Sequence, residues 1–330
     1  MKKQKAGKEW FNEKEVSNST RPYRLTLWCL KHFPRWLVNF ITYCAALYFF
    51  IFDKRCRRES FRYQKILRDY SPTFKKIRPL RQVATFAITL VEKIDCWTNP
   101  VPLKNIHFNN DDVYPLIEQL NQNKGAFLII SHLGDFEILR SLANKSEIGV
   151  QRQNIPMLVF SDMDISSNFT QAMKKFSPNY TLNMINVNNI SPATMEQIQD
   201  TIDKGGVVVC AGDRLSKNKN DRFVTQNFLG KSAPFSYGVY FLADLIGAPT
   251  YFVWGFRKGN LVSKRECEMV VKKARAQIGG SRKERDKRVE SLCAEYVQNL
   301  EVLVQKYPYQ WYNFFDFWRF PNGEEDGNKL

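Results

Sequence analysis

The chain holds three histidines in 330 residues, and one of them stands where chemistry is readily built. His132 lies in residues 127–137, FLIISHLGDFE, where an apolar run breaks into a glycine turn. Asp135 follows it three residues later and Glu137 five residues later. An imidazole titrates near neutral pH, so it can take a proton from a hydroxyl. It does so better when a carboxylate fixes its tautomer and stabilises the imidazolium. On one continuous helix, a separation of five would set the two side chains about 140° apart. Gly134 permits a turn that brings them together. Asp135 is placed to cap a following helix, whose first amides would present positive charge to an oxyanion or phosphate. The plain alternative is a histidine that only hydrogen-bonds in a loop. The preferred reading is acyl transfer in which His132 takes a proton from a hydroxyl, with Glu137 or Asp135 as the acid that orients it.

A second apolar run, residues 206–211, ends in Gly212, Asp213 and Arg214. Arg214 is suited to holding a phosphate or carboxylate bidentately. The alternative is that Asp213 and Arg214 pair with each other or with neighbours. Gly230, Lys231 and Ser232 resemble the end of a P-loop, but the required first glycine falls at Thr225. No G-x-S-x-G elbow is present, and no G-x-G-x-x-G follows a strand.

Both ends would have to be carried to one rim by a sheet. From residue 113 onward, strand patterns at 125–130, 155–160, 181–187, 206–211 and 249–254 alternate with helical patterns at 113–120, 136–143, 169–176, 191–202 and 237–246. Such alternation predicts an α/β fold with a mainly parallel sheet flanked by helices, whose ligands bind at the carboxyl ends of the strands. Residues 289–303 carry a late amphipathic period, and 307–318 form an aromatic tail. Upstream, residues 60–96 read as one or two helices broken near Pro72 and Pro79. The division expected is a basic, membrane-associating helical region over 1–100 and an α/β domain over 101–330.

The apolar content of 44% builds a substantial core, and the net charge of +16 calls for an anionic partner. Residues 36–52 are free of charge. The segment before them carries nine Lys/Arg against three Asp/Glu, and residues 53–81 carry eleven against three. Two basic flanks and several aromatic residues suit a helix lying in the headgroups of an anionic leaflet. A short span and a buried core helix are the alternatives. The seven cysteines show neither C-x-x-C nor zinc spacing, so no metal site is expected and a reduced cytoplasmic body is the simpler reading. No cleavable leader is expected, because no small-residue cleavage site follows the first apolar stretch. No nucleic-acid motif accompanies the charge, so no nucleic-acid partner is expected.

Taken together, residues 131–137, 211–214, 228–230, 234–238 and 310–318, in that order after a basic apolar start, resemble the bacterial lysophospholipid-acyltransferase superfamily. The likeness is to its branch of late acyltransferases of lipid A, and within it to predicted acyltransferases associated with aryl-polyene and glycosyltransferase clusters. It covers roughly residues 9–318, with His132 and Glu137 in the two places of an H-x4-D/E motif. Asp135 departs from the asparagine usual in relatives, and a charge there would raise the histidine's pKa. The resemblance implies transfer of a fatty acyl group from acyl carrier protein or acyl-CoA to a hydroxyl of a lipid or glycolipid. It implies no cofactor, and a place on the cytoplasmic face of the bacterial inner membrane. Gly134, Asp135, Asp213, Arg214 and Gly230 are the positions expected to shape the substrate site. A non-catalytic lipid- or carrier-binding protein of the same fold is the alternative.

Overall fold

The computed structural model describes residues 21–96, 101–108, 112–135, 150–152, 155–161, 183–187, 190–215, 222–259 and 266–321. Glu137 and the helical patterns at 136–143 and 169–176 lie outside them.

Seven strands form one sheet: β1 (Ile106–Phe108), β2 (Ala126–Ile130), β3 (Met157–Ser161), β4 (Asn183–Asn186), β5 (Val207–Ala211), β8 (Thr250–Lys258) and β9 (Glu266–Lys273). Their order is β1-β9-β8-β2-β5-β3-β4, and every neighbouring pair is parallel except β8 with β9. The fold is therefore α/β with a mainly parallel sheet. The period-two geometry of a strand divides β2 between the two faces: Phe127 and Ile129 enter one core cluster, and Ala126, Leu128 and Ile130 enter the other. All five are buried, which accounts for the unbroken apolar run in the sequence.

Eight helices are described: α1 (Arg21–His32), α2 (Arg35–Phe52), α3 (Lys54–Tyr70), α4 (Pro79–Cys96), α5 (Val113–Asn121), α6 (Pro192–Asp203), α7 (Tyr237–Ile246) and α8 (Arg285–Lys306). Their starts follow local chemistry. Asp53 accepts the amides of Arg55 and Cys56 at the head of α3. Ser191 and Thr194 exchange side-chain and amide bonds at the head of α6, behind a proline in the first turn. α3, α7 and α8 cover one sheet face with the C-terminal tail, while α5 lies on the other.

α2 is long and apolar enough, by length and composition, to be a membrane anchor. It buries only Val38, Asn39 and Ala46. Arg35, at its start, pairs with Asp95 near the end of α4, while Ala46 and Phe50 meet Val83, Ala84 and Ala87 near the start of α4. The two helices therefore run antiparallel along their length.

Several elements differ from the sequence expectation. β8 continues four residues past Trp254, and β1 and β9 were not anticipated. The helix expected over 237–246 is found at those bounds, but the hairpin before it was not anticipated. There β6 (Phe223–Phe228) and β7 (Lys231–Ser236) form an antiparallel hairpin with Pro234 inside β7, directly ahead of α7. The hairpin turn is Leu229–Gly230, with φ of 53° and 73°. Two positive φ angles are the geometry of a type I′ turn, usually made by Asn-Gly. Here the Glu301 carboxylate accepts the Leu229 amide at 2.5 Å and supports the strained leucine.

Candidate active site

β2 and β5 are parallel neighbours whose last paired residues are Ile130 and Ala211. Continuing that register two residues sets His132 opposite Asp213, so a separation of 81 residues becomes one rung of a sheet. The backbone past the last pair is held in place. Gly212 donates its amide to the Ile130 carbonyl at 2.9 Å. The same carbonyl accepts the Tyr296 hydroxyl of α8, and the Gly212 carbonyl accepts the Tyr240 hydroxyl of α7.

The Asp213 carboxylate bonds to His132 twice. Oδ1 meets Nδ1 of the ring at 2.8 Å, and Oδ2 accepts the His132 backbone amide at 2.9 Å. Oδ2 also accepts the Trp311 indole N–H and the Asn313 side-chain amide, each at 3.3 Å. The Asp213 side chain has no solvent exposure, whereas that of His132 keeps 31%. A carboxylate held by this many donors stays ionised, so it accepts a proton on Nδ1 and leaves the Nε2 lone pair as the basic atom. No described residue bonds Nε2.

Charge and burial set the protonation states. Burial lowers the pKa of His132 below the ordinary 6.5, the positive charge of Arg214 lowers it further, Asp213 works against both, and Lys93 adds a smaller push downward. The net direction is down, against the rise expected from an acidic neighbour, because desolvation of the imidazolium dominates. For Asp213, burial acts upward, but the charge and hydrogen bonds of His132 and the charge of Arg214 carry its pKa below the usual carboxylate value. At neutral pH the pair is a neutral imidazole on an ionised aspartate.

The turn after β2 is clamped from two sides. Gly134 adopts φ +81°, and a Cβ there would stand 2.0 Å from the Gly255 carbonyl oxygen. Its amide donates to the Gln310 carbonyl at 2.8 Å, and the Asp135 amide donates to the Gly255 carbonyl at 2.6 Å. Leu133 bridges to Trp311, and the Tyr312 amide donates to the His132 carbonyl at 2.9 Å. The tail thus meets the histidine turn through a single antiparallel bridge before supplying Trp311 and Asn313 to Asp213. Arg214 donates to the Asn313 side-chain oxygen at 3.3 Å and to the Tyr312 carbonyl at 3.4 Å, with its guanidinium 5.8 Å from the Phe315 ring centre.

Of the residues expected at the site, His132, Gly134, Asp135, Asp213 and Arg214 are gathered at this rim. Glu137, the sequence-predicted partner, lies outside the described residues, and among the described residues Nδ1 of the ring is bonded to Asp213. Gly230 sits apart in the β6–β7 turn, lining an open cleft against α3 with Arg62, Lys65 and Tyr70. It reaches the site through Phe228, whose ring lies 5.3 Å from that of Trp311. Trp311 and Asn313 were not anticipated as site residues, since nothing in an aromatic tail marks one indole and one amide as partners of a distant aspartate. No protein-family model and no curated protein matches this chain.

Proposed function

We propose that this protein is an O-acyltransferase that moves a fatty acyl group from a thioester, on acyl carrier protein or coenzyme A, to a hydroxyl of a lipid or glycolipid. The observation that carries the reading is the bond from Asp213 to Nδ1 of a partly exposed, neutral His132 at the carboxyl ends of two parallel strands. In the step envisaged, Nε2 takes the acceptor's hydroxyl proton as the oxygen attacks the thioester carbonyl carbon. The C–O bond forms, the C–S bond breaks, and the departing thiolate receives the proton from the imidazolium. Asp213 holds the ring in one tautomer throughout and offsets the imidazolium charge. Arg214, whose charge already reaches the ring, is suited to an anionic group of donor or acceptor.

The exposed face of α1 and α2, including Trp28, Trp36, Phe40, Tyr48 and Phe52, supports a site on an anionic membrane surface, with α2 lying in the plane of the leaflet. The cytoplasmic face of a bacterial inner membrane is the location in keeping with a thioester donor and with free cysteines.

The test is transfer of radiolabelled acyl chains from acyl carrier protein or coenzyme A thioesters into a total lipid extract. The expected result is one labelled lipid product with the native chain and none with His132→Ala, while that variant keeps its thermal transition and its vesicle binding. A folded His132→Ala protein that turns over at the native rate would refute the assignment.

A further inference from the structure

Helix α4 carries a buried carboxylate, Glu92, that is not needed by the chemistry above. Its side chain is 3% exposed and meets Arg257 Nε at 3.0 Å, itself on a side chain 4% exposed. On the other side it lies 3.7 Å from Arg35 at the start of α2, and Arg35 also bonds Asp95 at 2.8 Å. One carboxylate therefore stands between the guanidinium of the membrane-facing helix and a guanidinium from the sheet.

Arg257 leads to the histidine turn. Its backbone amide donates to the Gln310 side-chain oxygen at 3.0 Å, and its carbonyl accepts the Gln310 side-chain amide at 2.9 Å. The Gln310 carbonyl holds the amide of Gly134, two residues past His132. One turn earlier on α4, Thr89 bonds the Tyr312 hydroxyl at 2.9 Å, and the Tyr312 amide holds the His132 carbonyl. Residues three apart share a helix face, so Thr89 and Glu92 grip the two segments that flank the histidine. Lys93, the next residue, is near enough for its charge to bear on the ring.

A buried ion pair is a poor source of net stability, because desolvation offsets most of its attraction. Its stronger effect is directional, since a charged pair holds its partners in one geometry. We propose that Glu92 is a positioning residue for His132, fixing the catalytic turn to the membrane-facing helix through Arg257 and Arg35. This rests on reading His132 as the base. A misplacement of about 1 Å at a reacting group can cost roughly 100-fold in rate.

The test uses the full chain with ring-labelled histidine. With three histidines in the sequence, His132→Gln identifies the signal of interest by its loss. In the native chain that signal reports a single tautomer protonated on Nδ1. In Glu92→Gln we expect it to broaden or split, and kcat to fall at least 10-fold with KM within about twofold. Glu92→Asp keeps the charge but withdraws it by one methylene. It guards against a Gln variant that fails to fold, and kcat should fall by roughly threefold to tenfold. A folded Glu92→Gln or Glu92→Asp chain with the native His132 signal and native kcat overturns the proposal. If the native chain transfers no acyl group from either thioester, the acyltransferase reading fails, and the His132 signal alone decides whether Glu92 positions the ring.

Discussion

At the scale of the residue, His132 is set by opposing influences that mutation separates. A base works only when neutral, so under the proposed function turnover is expected to rise with pH through the pKa of His132 and then level. Arg214 lowers that pKa and Asp213 raises it. Arg214→Gln removes a charge that disfavours the imidazolium, so the acid limb of the pH–kcat profile is expected to move to higher pH. Asp213→Asn removes a charge that favours it, so the limb is expected to move to lower pH. The asparagine also ceases to enforce the Nδ1–H tautomer, and kcat should drop by roughly 10²–10⁴-fold. Profiles of the two variants moving in the same direction, or an Asp213→Asn enzyme with native kcat, would contradict the pairing. The sequence makes His132 conspicuous but does not announce Asp213 as its partner. Local spacing draws attention to Glu137, five residues on, whereas the register of β2 on β5 places Asp213 beside the ring. The signal that was present is weaker: two buried runs of like length each end, two residues later, in a residue able to bond the other.

At the scale of the element, the turn that carries His132 depends on a glycine that has no room. Gly134 combines φ +81° with a Cβ position 2.0 Å from the Gly255 carbonyl oxygen. Gly247, which ends α7, has φ +68° and open space around it. Alanine at Gly247 meets only backbone strain, roughly 1 kcal/mol, and should leave turnover intact. Alanine at Gly134 meets the strain and the clash together, so the loss should exceed about 3 kcal/mol unless the turn moves, and a moved turn displaces His132. Thermal unfolding and kcat measured on both variants check this. Equal behaviour of the two would show that the clash is relieved without moving the base. The same backbone rules explain which elements the sequence reveals. β2 and β5 are buried on both faces and read as unbroken apolar runs. The β6–β7 hairpin is hidden because its type I′ turn is built from Leu229 and Gly230, with support from Glu301 seventy-two residues away. The edge strand β1 depends on pairing with β9, and β9 on pairing with β8, which no local pattern announces.

At the scale of the whole molecule, the proposed site on an anionic membrane surface makes the packing of α2 decide how the chain would sit there. α2 runs antiparallel along α4, which carries Arg81, Glu92, Lys93 and Asp95. If α2 crossed a bilayer, those charges would be drawn toward the hydrocarbon at roughly 2.5–3.5 kcal/mol for each Arg, Lys or Asp near the centre. Arg57 would follow, because its guanidinium holds the carbonyls of Phe50 and Ile51 at the end of α2. A helix in the plane avoids this cost, burying Phe40, Phe49 and their neighbours while the basic flanks meet anionic headgroups. Depth along the helix distinguishes the two arrangements. Cys44 is exposed on α2 and takes a fluorophore directly, and Trp36→Cys and Phe52→Cys place the same label near the two ends. With Cys29, Cys44 and Cys56 changed to serine as each label position requires, quenching by spin-labelled lipids should put all three labels at one shallow depth, about 5–10 Å below the headgroups. Labels that descend progressively from one end of α2 to the other would mean that the helix crosses. In that case α4 could not keep its place between α2 and the turn that carries His132.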